Sequence, residues 1–275
     1  EILRCLVGSE MCIRDSSESG DLYRAIQKCV LNRSGYLYDE PHFLLQQEVS
    51  EVGSYFSIIK AIAAGNHKLS AIAAVLEVKS TNLTKYLKTL MDLDILERRV
   101  PVTEENPEKS KRGLYKIKDN YLRFWFAFIY PNMSFIESGH SGIVMDKIRK
   151  GLTTSHIGFV YEDICEERMR ELNVNNTWPF QFSKLGGYWD AKNEIDIAAL
   201  DPEGKNLILG ECKYWKEPVG LNVLHALEAK ACDVAWERDR RKVWYVLFSI
   251  SGFSDELCAH AATRDDLLLI DDRGR

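Results

Sequence analysis

The residues of this chain best suited to chemistry lie between Asn193 and Tyr214, in the stretch NEIDIAALDPEGKNLILGECKY. Glu194 and Asp196 stand two apart beside an apolar run, Ile195, Ile197, Ala198, Ala199 and Leu200. Glu211 and Lys213 stand two apart at the end of a second run, Leu207, Ile208 and Leu209. Each run has the length and composition of a strand, and Asp201-Pro202-Glu203-Gly204 between them reads as a turn. Side chains alternate along a strand, so Glu194 shares a face with Asp196, and Glu211 with Lys213. An antiparallel pair then gathers acids from both strands around one ammonium. Charges inside apolar strands are costly unless they pair with one another or bind a metal. That cost marks this stretch as the candidate site, and leaves an ion-paired sheet edge as the rival reading.

The elements that must position it follow from hydrophobic periodicity. Residues 153–275 read as one α/β module. A helix spans His156–Asn173, with Phe159, Val160, Ile164 and Met169 on its apolar side, Glu162 near that side, and Glu166, Glu167 and Arg168 solvated. Strands are expected at Trp178–Phe182, Tyr188–Leu200 and Leu207–Lys213. A helix follows at Leu221–Trp236, a strand at Val243–Ile250, a helix at Ser254–Ala262 and a last strand at Leu267–Ile270. That order predicts a mixed sheet covered by helices.

Residues 51–120 read as a second module. Helices are expected over Tyr55–Ala64 and Leu69–Leu76, with Ser70 as a cap, and from Lys79–Ser80 to Leu93. In the third, Leu83, Leu87 and Leu90 form one face and Thr81, Asn82, Lys85, Lys88 and Thr89 the other, with no acid among them. Strands at Arg98–Val100 and Leu114–Ile117 flank a polar excursion carrying Lys109, Lys111 and Arg112. Three helices and a two-stranded hairpin is the order of a winged helix-turn-helix. Its third helix would enter the major groove of DNA, Lys85 and Lys88 meeting phosphates and Thr81, Asn82 and Thr89 reaching base edges, with the basic wing on the backbone alongside. A solvated helix with a protein-docking wing is the alternative. The module carries 12 Lys and Arg against 9 Asp and Glu, in a chain of net charge −5.

The rest is connective. Residues 121–152 hold an aromatic helix, YLRFWFAFIY, read as buried, and a polar connector. Residues 21–50 carry two short helical segments too small for a core of their own. Residues 1–20 differ in character: CLVGSEMCIRDS at Cys5–Ser16 resembles translated sequencing adaptor, or else an ordinary disordered terminus, and is set aside from fold reasoning. With 45% hydrophobic and 28% charged residues among 275, the composition is that of a soluble two-domain protein. No apolar run is long enough to span a membrane, no secretory leader is legible, and the seven cysteines include no CxxC pair. A cytoplasmic setting with reduced thiols is therefore expected.

An acid on the first helix, an Asp on a strand and Glu-x-Lys on the next strand resembles the PD-(D/E)xK nuclease superfamily. The matching positions are Glu162, Asp196, Glu211 and Lys213, with Glu194 in reserve for Asp196. The resemblance implies Mg²⁺ or Mn²⁺ on Glu162, Asp196 and Glu211, and Lys213 at the attacking water or the phosphate. Strand context carries this inference, because Glu77-Val78-Lys79 and Glu228-Ala229-Lys230 repeat the tripeptide outside any expected strand. A longer resemblance rests on YFSIIK at 55–60, KSTNLTKYL at 79–87, PVTEENPEKSKRGLY at 101–115 and IKDNYLRFW at 117–125, with the later stretches 159–166, 194–200 and 210–214. These are similar to the DUF234 family, found at the C-terminus of archaeal and bacterial AAA-type P-loop ATPases. It implies an α+β multidomain chain, a winged helix-turn-helix followed by a PD-(D/E)xK nuclease-like domain, whose partners are DNA and an ATPase domain preceding residue 21. No GxxxxGK[ST] loop occurs in the sequence. The expected function is thus a DNA-binding, metal-dependent nuclease region of an ATPase, or a catalytically inactive DNA-binding or docking module of one.

Overall fold

The structure, a computed structural model, describes residues 22–271; the segment 1–20 lies outside the described residues. It is an α+β chain that divides into two compact units. One holds the residues up to Arg99 together with Gly113–His156, the other Val100–Arg112 together with the residues from Ile157 onward.

The first unit is mostly helical. Leu22–Cys29 and Glu40–Glu48 precede the helices Val52–Ala63, Leu69–Val75 and Ser80–Asp92. Val52–Ala63 buries a broad stripe of Tyr55, Phe56, Ile58, Ile59, Ala61 and Ile62, and Ser80–Asp92 a narrow one of Leu83, Leu87 and Leu90. Lys68, not Ser70, stands at the N-cap of Leu69–Val75, without a side-chain bond. Asp94 turns the chain with a left-handed φ of 60°, and β1 (Leu96–Arg99) then pairs antiparallel with β2 (Leu114–Ile117). The aromatic run starts as the helix Asn120–Phe124, capped by the Asp119 carboxylate, and widens to a π-helical turn at Trp125–Ile129. Phe124, Trp125 and Phe126 are almost fully buried, and the Trp125 indole N–H donates to the Tyr38 carbonyl at 2.8 Å. These rings are core, with no face left for a base.

The second unit is a five-stranded mixed sheet in the order β3-β4-β5-β6-β7. The strands are β3 (Lys184–Trp189), β4 (Glu194–Leu200), β5 (Asn206–Lys213), β6 (Lys242–Ser249) and β7 (Leu267–Asp271). The first three are antiparallel neighbours; β5, β6 and β7 are parallel. The parallel pairs need crossovers, which the helices Leu221–Asp233 and Asp255–Ala261 provide. They cover one face through Val223, Leu224, Leu227, Ala231 and Leu257. The helix Gly158–Val174 covers the other with Tyr161, Cys165, Met169 and Leu172. Both faces are buried, which explains why β5 and β6 read as unbroken apolar runs. At Gly210 the sheet is tight: a Cβ there would lie 2.6 Å from Val246 Cγ1.

Three local expectations change. Trp178–Phe182 is not a strand. Asn173 takes up the backbone of Phe182 instead, its amide donating to the carbonyl and accepting from the N–H, each at 3.0 Å. That leaves Trp178 and Phe182 as core side chains on an irregular segment. The strand expected over 188–200 is a hairpin, β3 and β4, turned at Asp190, whose carboxylate accepts from the N–H groups of Lys192 and Asn193. The polar excursion expected as a wing falls in the second unit over Val100–Arg112. Its Val102 N–H bonds the Gly187 carbonyl of β3 at 3.0 Å, and the Trp189 indole donates to the Arg112 carbonyl at 2.9 Å. No helix among the described residues is long and apolar enough to cross a membrane.

Candidate functional site

The site lies where β4 and β5 part. Their ladder stops at Ile197 opposite Gly210, so Asp196 and Glu211 stand just past the last pair. Alternation alone would put Ile195 and Ile197 on one face. Instead Ile195 packs under the crossover helices and Ile197 packs against the Gly158–Val174 side. The phase shift comes from an irregularity in the β3–β4 register, where Tyr188 faces Ile195 but Gly186 faces Ala198. The extra residue on β4 is a bulge, a device that re-aims side chains beside active sites. It turns Asp196 toward β5, where its Oδ2 accepts the Cys212 N–H at 2.8 Å. A carboxylate thus takes the place of a ladder carbonyl and opens the strand pair.

Asp196, Glu211 and Lys213 come together. Lys213 Nζ lies 3.5 Å from Asp196 Oδ2 and donates to Glu211 Oε2. Glu211 is the most enclosed, with its side chain 6% exposed, against 17% for Asp196 and 19% for Lys213. Burial, followed by the neighbouring Glu211 charge, raises the Asp196 pKa against the pull of Lys213 and Lys230. Burial pulls the Lys213 pKa down, but Asp196 and Glu211 outweigh it, and the net shift is upward. Lys213 therefore stays an ammonium at neutral pH. It can orient and neutralise anionic oxygen, and it cannot serve as a base.

A fourth member lies outside the strand motif. Lys230, from the Leu221–Asp233 helix, donates to Glu211 Oε1 at 2.5 Å and to the Glu194 carbonyl at 2.7 Å. Its tripeptide, Glu228-Ala229-Lys230, lies outside any strand, yet the helix that carries it reaches the same cluster. The legible signal was a charge three residues beyond Leu227, beside the buried stripe of Val223, Leu224, Leu227 and Ala231. Its partner in that tripeptide, Glu228, pairs elsewhere, with Arg264.

The other expected residues are more dispersed. Glu194 is exposed, and its main-chain carbonyl rather than its carboxylate meets Lys230. Glu162 sits on the Gly158–Val174 helix, within electrostatic reach of the buried Cys212 thiol, as Asp196 is. Glu166 pairs with Arg170 at 2.7 Å. Among the described residues no three His, Cys, Asp or Glu side chains are grouped to hold a metal ion. Asp196 and Glu211 supply two carboxylates at the cluster, and Mg²⁺ is commonly held by one or two carboxylates with water and phosphate completing its shell. The donor chemistry fits; the expected third ligand, Glu162, is not gathered with them. Thr81, Asn82, Lys85 and Lys88 line the exposed side of their helix. Lys109, Lys111 and Arg112 are exposed too, but Arg112 is engaged by Glu104.

Comparison with known proteins bears on the same region. Residues 125–231 match the DUF234 family, described as archaeal and bacterial proteins of unknown function. That span holds every charged member of the cluster. An uncharacterized protein of Methanocaldococcus jannaschii is 39% identical over 192 residues, 70% of this chain and 42% of that protein. The chain thus spans less than half the length of this relative. Among solved structures, a repair endonuclease from Pyrococcus abyssi aligns over 38% of this chain and 45% of its own, at 14% identity and a TM-score of 0.25. A likeness that distant assigns no activity.

Proposed function

We propose that this chain cleaves phosphodiester bonds in DNA at the Asp196–Glu211–Lys213 cluster with the help of a divalent cation. The observation that carries the reading is the opened strand pair, where two carboxylates from adjacent strands share one retained ammonium. Asp196 and Glu211 would hold Mg²⁺ or Mn²⁺, and the bound ion would polarise a phosphate and lower the pKa of its water. Lys213, held charged by its neighbours, would stabilise negative charge on the phosphate oxygens. Glu162 remains a candidate outer ligand. The helices Val52–Ala63, Leu69–Val75 and Ser80–Asp92 followed by β1 and β2 have the order of a winged helix-turn-helix, whose exposed Thr81, Asn82, Lys85 and Lys88 would contact DNA. Coupling to an ATPase is a further part of the proposal, drawn from the family resemblance. The test is cleavage of supercoiled and linear DNA with Mg²⁺ or Mn²⁺. Lys213→Ala and Asp196→Asn should each lower the rate by about 10²–10³-fold, and activity that survives both removes the site.

One observation favours a second reading. Glu211 is bracketed by two ammoniums, and the cluster is charge-balanced as it stands. A catalytically inactive platform that binds DNA or docks a protein would look the same. It predicts salt-sensitive DNA binding without turnover under any metal.

A further inference from the structure

One charge of the cluster has no part in the proposed cleavage, the Lys230 ammonium. Two ammoniums hold the two oxygens of Glu211, Lys213 on Oε2 and Lys230 on Oε1. Lys213 also faces Asp196 at 3.5 Å, and Asp196 is further fixed by the Cys212 N–H. Two carboxylates against two ammoniums leave no net charge, so a divalent cation arriving at Glu211 meets a site already compensated. One ammonium has to yield.

The two lysines are not equally placed to do so. Lys213 stands on β5, 19% exposed, between both carboxylates. Lys230 comes from a different element, is 29% exposed, and holds one carboxylate and one carbonyl. Lys213 would lose two charged partners by leaving; Lys230 loses one. Its long stem lets the ammonium swing toward solvent while the methylenes stay packed.

We propose that Lys230 is a displaceable counter-ion that keeps the cation's place on Glu211, and that a divalent cation drives it off to become a contact for substrate phosphate. The proposal rests on the cation-assisted reading of the cluster. In the ion-free state Lys230 supplies the second positive charge that balances Asp196 and Glu211, beside Lys213. In the ion-bound state the same ammonium, repelled by the metal, faces the phosphate that the metal recruits. Metal and DNA binding are thereby linked through one side chain.

The test uses Mn²⁺ alone as the probe, on the full chain without DNA, with free Mn²⁺ followed by electron paramagnetic resonance. Lys230→Met should bind Mn²⁺ at least about tenfold more tightly than wild type, because the competing charge is gone. Lys230→Arg should stay near wild type, and Asp196→Asn should weaken binding in either background. In a second arm, Ca²⁺ should tighten binding of a fluorescent oligonucleotide in wild type and much less in Lys230→Met. Equal or weaker Mn²⁺ affinity in Lys230→Met, with binding still dependent on Asp196, overturns the counter-ion role alone. No Mn²⁺ binding in wild type or Lys230→Met, with both folded by circular dichroism and thermal melting, overturns the cation-assisted reading and the proposal with it. Equal Ca²⁺-dependent tightening in both proteins removes the phosphate contact.

Discussion

His156 offers a sharp test of the first unit. The residue is fully buried, and neither ring nitrogen has a hydrogen-bond partner among the described residues. The Phe124 ring lies 5.8 Å from it, edge to face. Burial, with a smaller push from the Arg123 charge, lowers its pKa from 6.5 to about 3. The folded state thus holds the neutral imidazole, while the unfolded chain takes up a proton below pH 6.5. Stability from this group is fully present above that value and is lost as pH falls through the window down to about 3. Within it the slope approaches 1.4 kcal/mol per pH unit, so about 2 kcal/mol should be gone at pH 5 and roughly 4–5 kcal/mol at the lower limit. The assay is urea unfolding at pH 7.5, 6, 5 and 4.5 for wild type and His156→Leu. The variant should lie within about 1–2 kcal/mol of wild type at pH 7.5, since it leaves no polar partner unpaired. It should then overtake wild type on acidification, the gap widening by about 2 kcal/mol by pH 5. Other groups titrate in both proteins and cancel in the difference. A difference curve flat with pH would show that His156 is solvated or paired in solution, and would refute the argument.

Two more outcomes can be checked directly. Gly210→Ala sets a methyl 2.6 Å from Val246 Cγ1 and 3.0 Å from the Val246 carbonyl, which should cost about 1–3 kcal/mol in urea unfolding; no loss would mean that β5 and β6 separate more easily than their pairing implies. If Lys85 and Lys88 meet phosphates, replacing both by Ala should weaken DNA binding alike on all sequences and flatten the salt dependence by about two charges' worth; an unchanged slope would place the DNA elsewhere.

Much of the architecture was legible because it depends on local pattern. Leu83, Leu87 and Leu90 recur at helical spacing, and they are the buried stripe of Ser80–Asp92. Leu207, Ile208 and Leu209 form an unbroken run because both faces of β5 are covered. The differences lie where a side chain, not a neighbouring strand, satisfies the backbone. Trp178–Phe182 has strand composition, but Asn173 supplies the bonds a neighbouring strand would have given. The Asp190 turn is not legible from hydrophobicity because apolar residues lie on both sides of it, and only its carboxylate bonds to Lys192 and Asn193 end the strand.

The candidate site divides along the same line. The sequence by itself determined that Asp196, Glu211 and Lys213 are chemically expensive in their setting, since alternating apolar neighbours bury whatever lies between them. It could not determine which charges meet. Strict alternation pairs Glu194 with Asp196, yet the register irregularity on β4 shifts the phase, leaving Glu194 exposed and Asp196 on the Cys212 N–H. Nor could it bring in Lys230, which lies 19 residues beyond Glu211 along the chain and reaches it only because the parallel crossover folds its helix back across the sheet. Spacing along one strand is a local property; convergence of a bulge, a strand end and a helix is decided by packing, and only the tertiary structure fixes it.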